Sequence, residues 1–366
     1  MFKPVEKSEV YLGDQIVGRL AITAEMRCAF EYTPQFLATG FAISPFYLPL
    51  KPRLFLAAAE PFSGGFGVFN DSLPDGWGNL LLDRLLASRG IDHRSLSLLD
   101  RLSLVGGAGM GALEYRPDRS FSNNQSKLDI PTIAAEIEKI LAETQYTQNL
   151  ELLVAVGGSS GGARPKVMLQ VDGRSWLVKF PAPQDASDIG EVEYKYSRVA
   201  KLCKIIMPET ALFEDKYFGV RRFDRVGTNK IHMLTASGLL NASHRYPALD
   251  YVDLIKATRI LTGNIEDAYR LFRLGVFNVL TGNRDDHAKN FSFLYKDNQW
   301  QLAPAYDLVP SPGFGGNHTT TMAGSGQPDR NDMVTVSDQC DLDRKVSQNV
   351  IDEVYELSTP IRQIHW

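Results

Sequence analysis

The sequence predicts an α+β chain: a two-lobed, protein-kinase-like core, a small β-rich subdomain before it, and a mostly helical C-terminal lobe. Three observations carry that prediction. Gly282-Asn283-Arg284-Asp285-Asp286-His287-Ala288-Lys289-Asn290 sets an Asp five residues before an Asn, and Ala305-Tyr306-Asp307-Leu308 adds another Asp after an apolar segment. A glycine-rich loop from Gly157 to Lys166 leads into a strand pair ending in Val178-Lys179-Phe180. From Asp250 onward the apolar spacing is helical.

Taken in order, Val10-Tyr11-Leu12, Gly13-Asp14 and Ile16 to Ile22 read as a hairpin, and Cys28-Ala29-Phe30-Glu31-Tyr32 continues it by alternation. Pro45, Pro49, Pro52 and Pro61 then punctuate a loop-rich passage. Asp75-Gly76-Trp77-Gly78 opens a helix with Leu81, Leu82, Leu85 and Leu86 on one face. A helix from Thr132 sets Ile133, Ile137, Ile140 and Leu141 for burial, and residues 120–129 before it are the expected linker.

A β-rich unit is expected from about Leu152, with the apolar run Leu152 to Val156 ahead of the glycine-rich loop. Val167 to Val171 then pairs through Asp172-Gly173 with Trp176 to Phe180. Beyond Asp185 a helix carries Val192, Tyr196, Val199 and Leu202 on one stripe, and Phe218-Gly219-Val220 is another strand. Asn264 caps the helix that delivers the Asp285 tract, with Ile265, Ala268, Phe272, Val276 and Val279 as its buried face. The expected domains are residues 1–120, 121–225 and 226–366.

Composition is that of an ordinary globular protein, with 44% apolar and 22% charged residues, and 366 residues suffice for a full core. A net charge of −4 argues against a chain that coats nucleic acid by itself. Cys28, Cys203 and Cys340 stand too far apart for a zinc site or a disulfide framework, which points to a reducing compartment. The charged N-terminus lacks a signal-peptide core, and no apolar run reaches a membrane span, so a cytoplasmic location is expected.

Backbone N–H groups approach a phosphate closely only where side chains are absent, so glycines ahead of a strand suit a nucleotide lid. Alone, such a loop reads equally as a surface hairpin. Gly161, Gly162, Ala163, Arg164, Pro165 and Lys166 are its candidate ATP contacts, with Arg164 and Lys166 adding positive charge. No Gly-Lys-Ser/Thr ends it, so it is not a Walker loop. Lys179 occupies the place of the kinase lysine that grips the α- and β-phosphates, and either Glu191 or Glu193 could pair with it.

In the second tract Asp285 is the candidate catalytic base and Lys289 a candidate for neutralising the moving phosphoryl group. Asn290 and Asp307 are the candidate magnesium ligands. The plainer reading makes Asp285-Asp286 a solvated acidic turn and His287 a core histidine; the ordered addition of Asp307 favours phosphoryl transfer. The Gly- and Thr-rich stretch 313–326 is expected to be a mobile, substrate-facing segment.

On these residues the chain resembles the HipA family of serine/threonine kinases, the toxins of bacterial toxin–antitoxin pairs. Val10-Tyr11-Leu12-Gly13 and Ser72-Leu73-Pro74-Asp75-Gly76-Trp77-Gly78 resemble the family's N-terminal domain. Gly158-Ser159 through Lys166, Leu177-Val178-Lys179-Phe180-Pro181, Arg222-Phe223-Asp224-Arg225, Asp285 to Phe291 and Tyr306-Asp307-Leu308 resemble its phosphate loop, lysine strand, hinge, catalytic and metal motifs. The resemblance implies an ATP- and magnesium-dependent protein kinase whose targets include aminoacyl-tRNA synthetases, with growth arrest as the outcome. It implies a helix-turn-helix, HipB-like antitoxin as partner, and contact with DNA only through that antitoxin.

By the same matching Ser159, beside Ser160, is an autophosphorylation position, Arg221, Arg222 and Phe223 lie on the adenine side, and His287 and Tyr306 join the ATP-binding set. The chain departs from the pattern in carrying Arg221 where an acidic residue is common and in the short stretch after Asp307, which implies a reduced helical lobe. A small-molecule or lipid kinase shares the Asp and Asn arrangement, and a non-catalytic nucleotide-sensing partner of a DNA-binding regulator is the third possibility.

Overall fold

The computed structural model describes residues 3–121, 129–142, 149–157 and 161–363. They divide into two compact units, Met1–Glu191 with Ala211–His232, and Val192–Thr210 with Met233–Trp366. Among the described residues no helix is long and apolar enough to cross a membrane. Ser159, its neighbours Gly158 and Ser160, and most of the expected linker lie outside the described residues.

The first unit opens with β1 (Lys7–Leu12), β2 (Gln15–Ile22) and β3 (Cys28–Tyr32), followed by α1 (Pro34–Thr39) and β4 (Phe55–Leu56). After α2 (Gly67–Asn70), α3 (Gly76–Ser88) and α4 (Leu98–Val105), β5 (Leu113–Arg116) completes a sheet of order β4-β3-β2-β1-β5. The expected hairpin is present, and Gly13 supplies the positive φ of its turn. Val10, Leu20 and Phe30 are buried, as is Val17, which lies at the register shift between β1 and β2. Gly18 lies opposite Tyr32, where a Cβ would collide with the Phe30 ring.

The next elements are α5 (Ile130–Leu141), α6 (Leu150–Gly157), β6 (Lys166–Val171), β7 (Arg174–Lys179), α7 (Ile189–Leu202), β8 (Thr210–Phe213) and β9 (Tyr217–Arg221), with the short pair β10 (Arg225–Val226) and β11 (Asn229–Lys230). Strands β6, β7, β9 and β8 form one sheet in that order. Asp172 and Gly173 both take positive φ in the two-residue turn between β6 and β7, the geometry a twisted hairpin requires. Trp77, Leu81, Leu82 and Leu85 of α3 share one core with Ile133 and Ile137 of α5, Leu153 of α6, and Val167, Trp176 and Val178 of the sheet.

The run Leu152 to Val156, expected to begin a β-rich unit, is helical. Leu150, Leu153, Val154 and Gly157 are its buried positions, a helical stripe that starts two residues before the expected segment. The stripe of α7 ends on buried Cys203, leaving Leu202 exposed; Cys203 completes the period from Tyr196 and Val199.

The second unit continues with β12 (His232–Thr235), α8 (Ala236–Leu240), β13 (Leu249–Asp250), α9 (Tyr251–Thr262) and α10 (Ile265–Thr281). Then follow the hairpin β14 (Ser292–Lys296) and β15 (Gln299–Leu302), β16 (Thr320–Thr321), α11 (Arg330–Gln339) and α12 (Arg344–Leu357). Asn264 caps α10 by accepting from the Glu266 N–H, and Gly282 ends it in the left-handed conformation. Ala268, Phe272, Val276 and Val279 are buried as expected, whereas Ile265, in the first turn, is exposed. The stretch 313–326 is not uniformly loose: β16 pairs parallel with β13, and His318, Thr320 and Met322 are buried, while Phe314 stays exposed.

Candidate active site

In the first unit, residues 161–166 lead directly into β6. Gly162 has φ +86, a conformation that favours glycine, and Lys166 Nζ packs where a Cβ would stand and donates to the Gly161 carbonyl at 2.5 Å. The Arg164 guanidinium donates to the Asp185 carboxylate at 2.9 and 3.1 Å, so its charge is matched locally. Phe180 N–H donates to the Pro165 carbonyl at 2.8 Å, and Lys166 lies opposite Lys179 in the β6–β7 register. Lys179 Nζ also lies 5.7 Å from the Phe218 ring centre.

The adenine-side candidates sit at the end of β9. Arg221 is exposed and lies opposite Trp176, and the Arg222 N–H donates to the Ser175 carbonyl at 2.9 Å. The Arg222 side chain is turned into the unit, donating to Asp224 at 2.9 and 2.7 Å. Asp224 also accepts from Arg225 Nη1 at 2.7 Å and from the Gly111 N–H at 2.8 Å. Burial opposes ionisation of Asp224, but the charges of Arg222 and Arg225 with these hydrogen bonds prevail and hold its carboxyl below the usual range. Burial in turn lowers the Arg225 guanidinium to about 10.

In the second unit, the tract after α10 emerges from a buried polar chain. Asn283 Nδ2 donates to Asn278 Oδ1 at 3.0 Å, Asn278 Nδ2 to the Tyr251 hydroxyl at 3.0 Å, and that hydroxyl to Asp286 Oδ2 at 2.9 Å. Asp286 is 1% exposed, and also accepts from the N–H groups of Thr319 at 2.9 Å and Thr320 at 3.1 Å. Its Oδ2 lies 2.9 Å from His318 Nδ1. Burial, then the neighbouring Asp286 charge, pushes the Tyr251 hydroxyl well above its ordinary pKa, keeping it a donor. Gly275 lets the Tyr251 ring lie this close, since a Cβ there would be 2.9 Å from it.

With Asp286 held inside, Asp285 faces solvent. Residues 288–290 form one 3-10 turn that brings Asn290 back, and Asn290 Nδ2 donates to the Asp285 carbonyl at 2.7 Å. His287 begins that turn half-buried, its ring 6.1 Å from that of His244. Tyr306 donates its hydroxyl to the Lys289 carbonyl at 2.6 Å and meets the Ser292 hydroxyl. Asp307 follows with φ +58, a conformation that few residues other than glycine adopt without cost. The second unit therefore brings together Asp285, Lys289, Asn290, Tyr306 and the backbone of Asp307.

Asp286, Tyr251, Asn278 and His318 were not singled out by sequence reasoning. The acidic doublet marked the place, but which aspartate is buried depends on distant partners. Among the described residues no three His, Cys, Asp or Glu side chains gather to hold a metal ion alone. Asn290 Oδ1 and the Asp307 carboxylate are hard oxygen donors, the type magnesium takes in sites completed by phosphate oxygens.

The fold is a mixed helix-and-sheet one of the protein-kinase-like class. Family models described as HipA N-terminal domain and HipA-like C-terminal domain match residues 8–116 and 158–359. The chain belongs to the HipA family. It is 24% identical to the serine/threonine-protein kinase toxin HipA of Shewanella oneidensis over 343 residues, covering 82% of this chain and 74% of that one. It is 26% identical over 299 residues to Y4dM of Sinorhizobium fredii, which bears a provisional kinase name, with 74% and 71% coverage. A solved complex of Shewanella oneidensis HipA, HipB and operator DNA contains a chain that superposes with TM-score 0.73 at 19% identity, covering 98% of this chain and 92% of that one.

Proposed function

We propose that this chain is a HipA-like toxin kinase, which transfers the γ-phosphoryl group of ATP to a serine or threonine hydroxyl of a protein, with magnesium as cofactor. The observation that carries the proposal is the Asn290-to-Asp285 hydrogen bond. It locks the loop so that the Asp285 carboxylate faces outward while the Asn290 carbonyl oxygen remains available as a ligand.

Asp285 orients the substrate hydroxyl and accepts its proton as the oxygen becomes a nucleophile. Lys289 offsets charge on the transferring group. Asn290 and Asp307 are the residues that would hold magnesium, which supplies neutralisation of the phosphate oxygens when bound. In the first unit Lys179 serves the α- and β-phosphates, residues 161–166 cover the phosphates, and Arg221, Arg222 and Phe223 line the adenine side. With its side chain committed to Asp224, Arg222 would act through its main chain. His287 and Tyr306 complete the nucleotide set, and Ser159 is the position proposed for autophosphorylation.

By family membership the partner is a HipB-like helix-turn-helix antitoxin, which would carry the chain to operator DNA. The substrate would be a cytoplasmic protein of translation, such as an aminoacyl-tRNA synthetase. The test is incubation of the purified chain with magnesium and γ-labelled ATP, alone and with bacterial lysate. Label is expected on the chain or on one lysate protein. Absence of both nucleotide binding and label transfer would overturn the proposal.

A further inference from the structure

The start of α3, from the N-terminal part of the chain, is bonded directly to the loop 161–166. The Trp77 N–H belongs to the first turn of a helix and has no intrahelical acceptor; it donates to the Gly162 carbonyl at 3.1 Å. Asp75 occupies the N-cap position but makes no side-chain cap hydrogen bond, and its carboxylate instead lies 3.4 Å from the Gly162 N–H. Both main-chain groups of Gly162 are thus directed to the start of α3.

The side chains continue the pattern. Trp77 is 1% exposed, and its indole Nε1–H donates to the Lys166 carbonyl at 3.0 Å. Gly157 leaves room for that contact, since a Cβ there would stand 2.8 Å from the Lys166 oxygen and 3.2 Å from Nε1. Gly76 is equally confined: its Cβ would lie 3.0 Å from Ala163 Cα. A packing role alone would need only the Trp77 ring. Three polar contacts reach residues 161–166, two at Gly162 and one at Lys166, near both ends of that segment.

We propose that Asp75, Gly76 and Trp77 are positioning residues that set the path of the phosphate loop, and through it the affinity for nucleotide, without touching the nucleotide themselves. The inference rests on the kinase reading above and deepens it. It gives the N-terminal domain a part in nucleotide binding that belongs to none of the residues assigned there. The loop amides can meet phosphate oxygens only along one path, and small displacements of such groups weaken binding steeply.

The test measures the dissociation constant of a fluorescent ATP analogue with magnesium, the KM for ATP and kcat, and thermal stability, for the full chain and three variants. Gly76→Ala favours the helix yet crowds Ala163, while Trp77→Phe keeps most of the ring packing and removes the indole donor. Leu85→Ala opens a cavity in the same core, away from the loop. Gly76→Ala and Trp77→Phe are expected to raise the dissociation constant and KM about fivefold, the effect of one hydrogen bond, with kcat nearly unchanged. Leu85→Ala is expected to lower thermal stability while leaving both constants as in the parent. If the parent binds nucleotide and Gly76→Ala binds it equally well, the inference is wrong while the kinase reading stands. If the affinity change merely follows thermal stability across all three variants, the role is structural and the inference also falls. A parent that binds no nucleotide removes both.

Discussion

The side-chain amide of Asn290 donates to the main-chain carbonyl of Asp285 at 2.7 Å, closing the loop between the proposed base and a proposed metal ligand. The bond spans the five-residue spacing that marked the tract in the sequence. The contact uses the Asp285 backbone, and the residue itself is exposed.

Asp285 and Asp286 are adjacent, and their variants should behave oppositely. Asp285→Asn is expected to bind nucleotide normally and to lose at least about 100-fold in transfer, the usual contribution of a positioned base. Asp286→Ala removes the carboxylate that accepts from the Tyr251 hydroxyl and the N–H groups of Thr319 and Thr320 and meets His318 Nδ1, and should destabilise the second unit by roughly 3 kcal/mol. Nucleotide binding and denaturant titration of both variants check this. Equal transfer by Asp285→Asn and the parent would remove its assigned role.

The left-handed backbone of Asp307 separates strain from function. Asp307→Gly relieves the strain and Asp307→Ala does not, so the glycine variant should be the more stable by about 1 kcal/mol. Both should lose phosphoryl transfer. Paired thermal melts and transfer assays read the two effects separately.

Asp224 holds two guanidinium groups in a buried setting, at 2.7 Å from both Arg222 and Arg225. Asp224→Ala leaves these charges uncompensated and should cost roughly 3–5 kcal/mol. Restoring much of that loss by also replacing Arg222 and Arg225 with Met would show that stranded charge is the cause. No recovery in the triple variant would point instead to the Gly111 contact.

His232 is fully packed beside Phe41, with Nε2 2.9 Å from the Ile43 carbonyl, and burial lowers its pKa to about 4. The unfolded chain takes up this proton near pH 6.5, the folded one only near pH 4, so stability is present above pH 6.5 and is lost as pH falls between those values. Going from pH 7 to pH 5 should cost roughly 2 kcal/mol from this group. Denaturant midpoints of the parent and His232→Gln across that range measure it; an identical acid slope in both would contradict the assignment.

Local elements were legible because their signals are local. The Asp172-Gly173 turn, the Asn264 cap and the leucine face of α3 each follow from a few neighbouring residues. The helical run 150–157 is not legible in the apolar segment 152–156 alone, because its first buried residue, Leu150, lies outside that segment. The stretch 313–326 looked mobile by composition, yet His318 to Thr320 are bound to Asp286 by contacts that composition does not encode.

Alone, the sequence determined the class of fold, the family resemblance and the order of the candidate residues Lys179, Asp285, Asn290 and Asp307, because short spacings and periodicities survive in one dimension. Tertiary structure decided which of two adjacent aspartates faces solvent, through Tyr251 and His318 at separations of 35 and 32 residues. It also decided that Arg222 turns inward to Asp224, and that Trp77 holds a loop 89 residues further on. Burial and hydrogen-bond partnership between distant segments arise only when the chain closes on itself, and no local pattern records them.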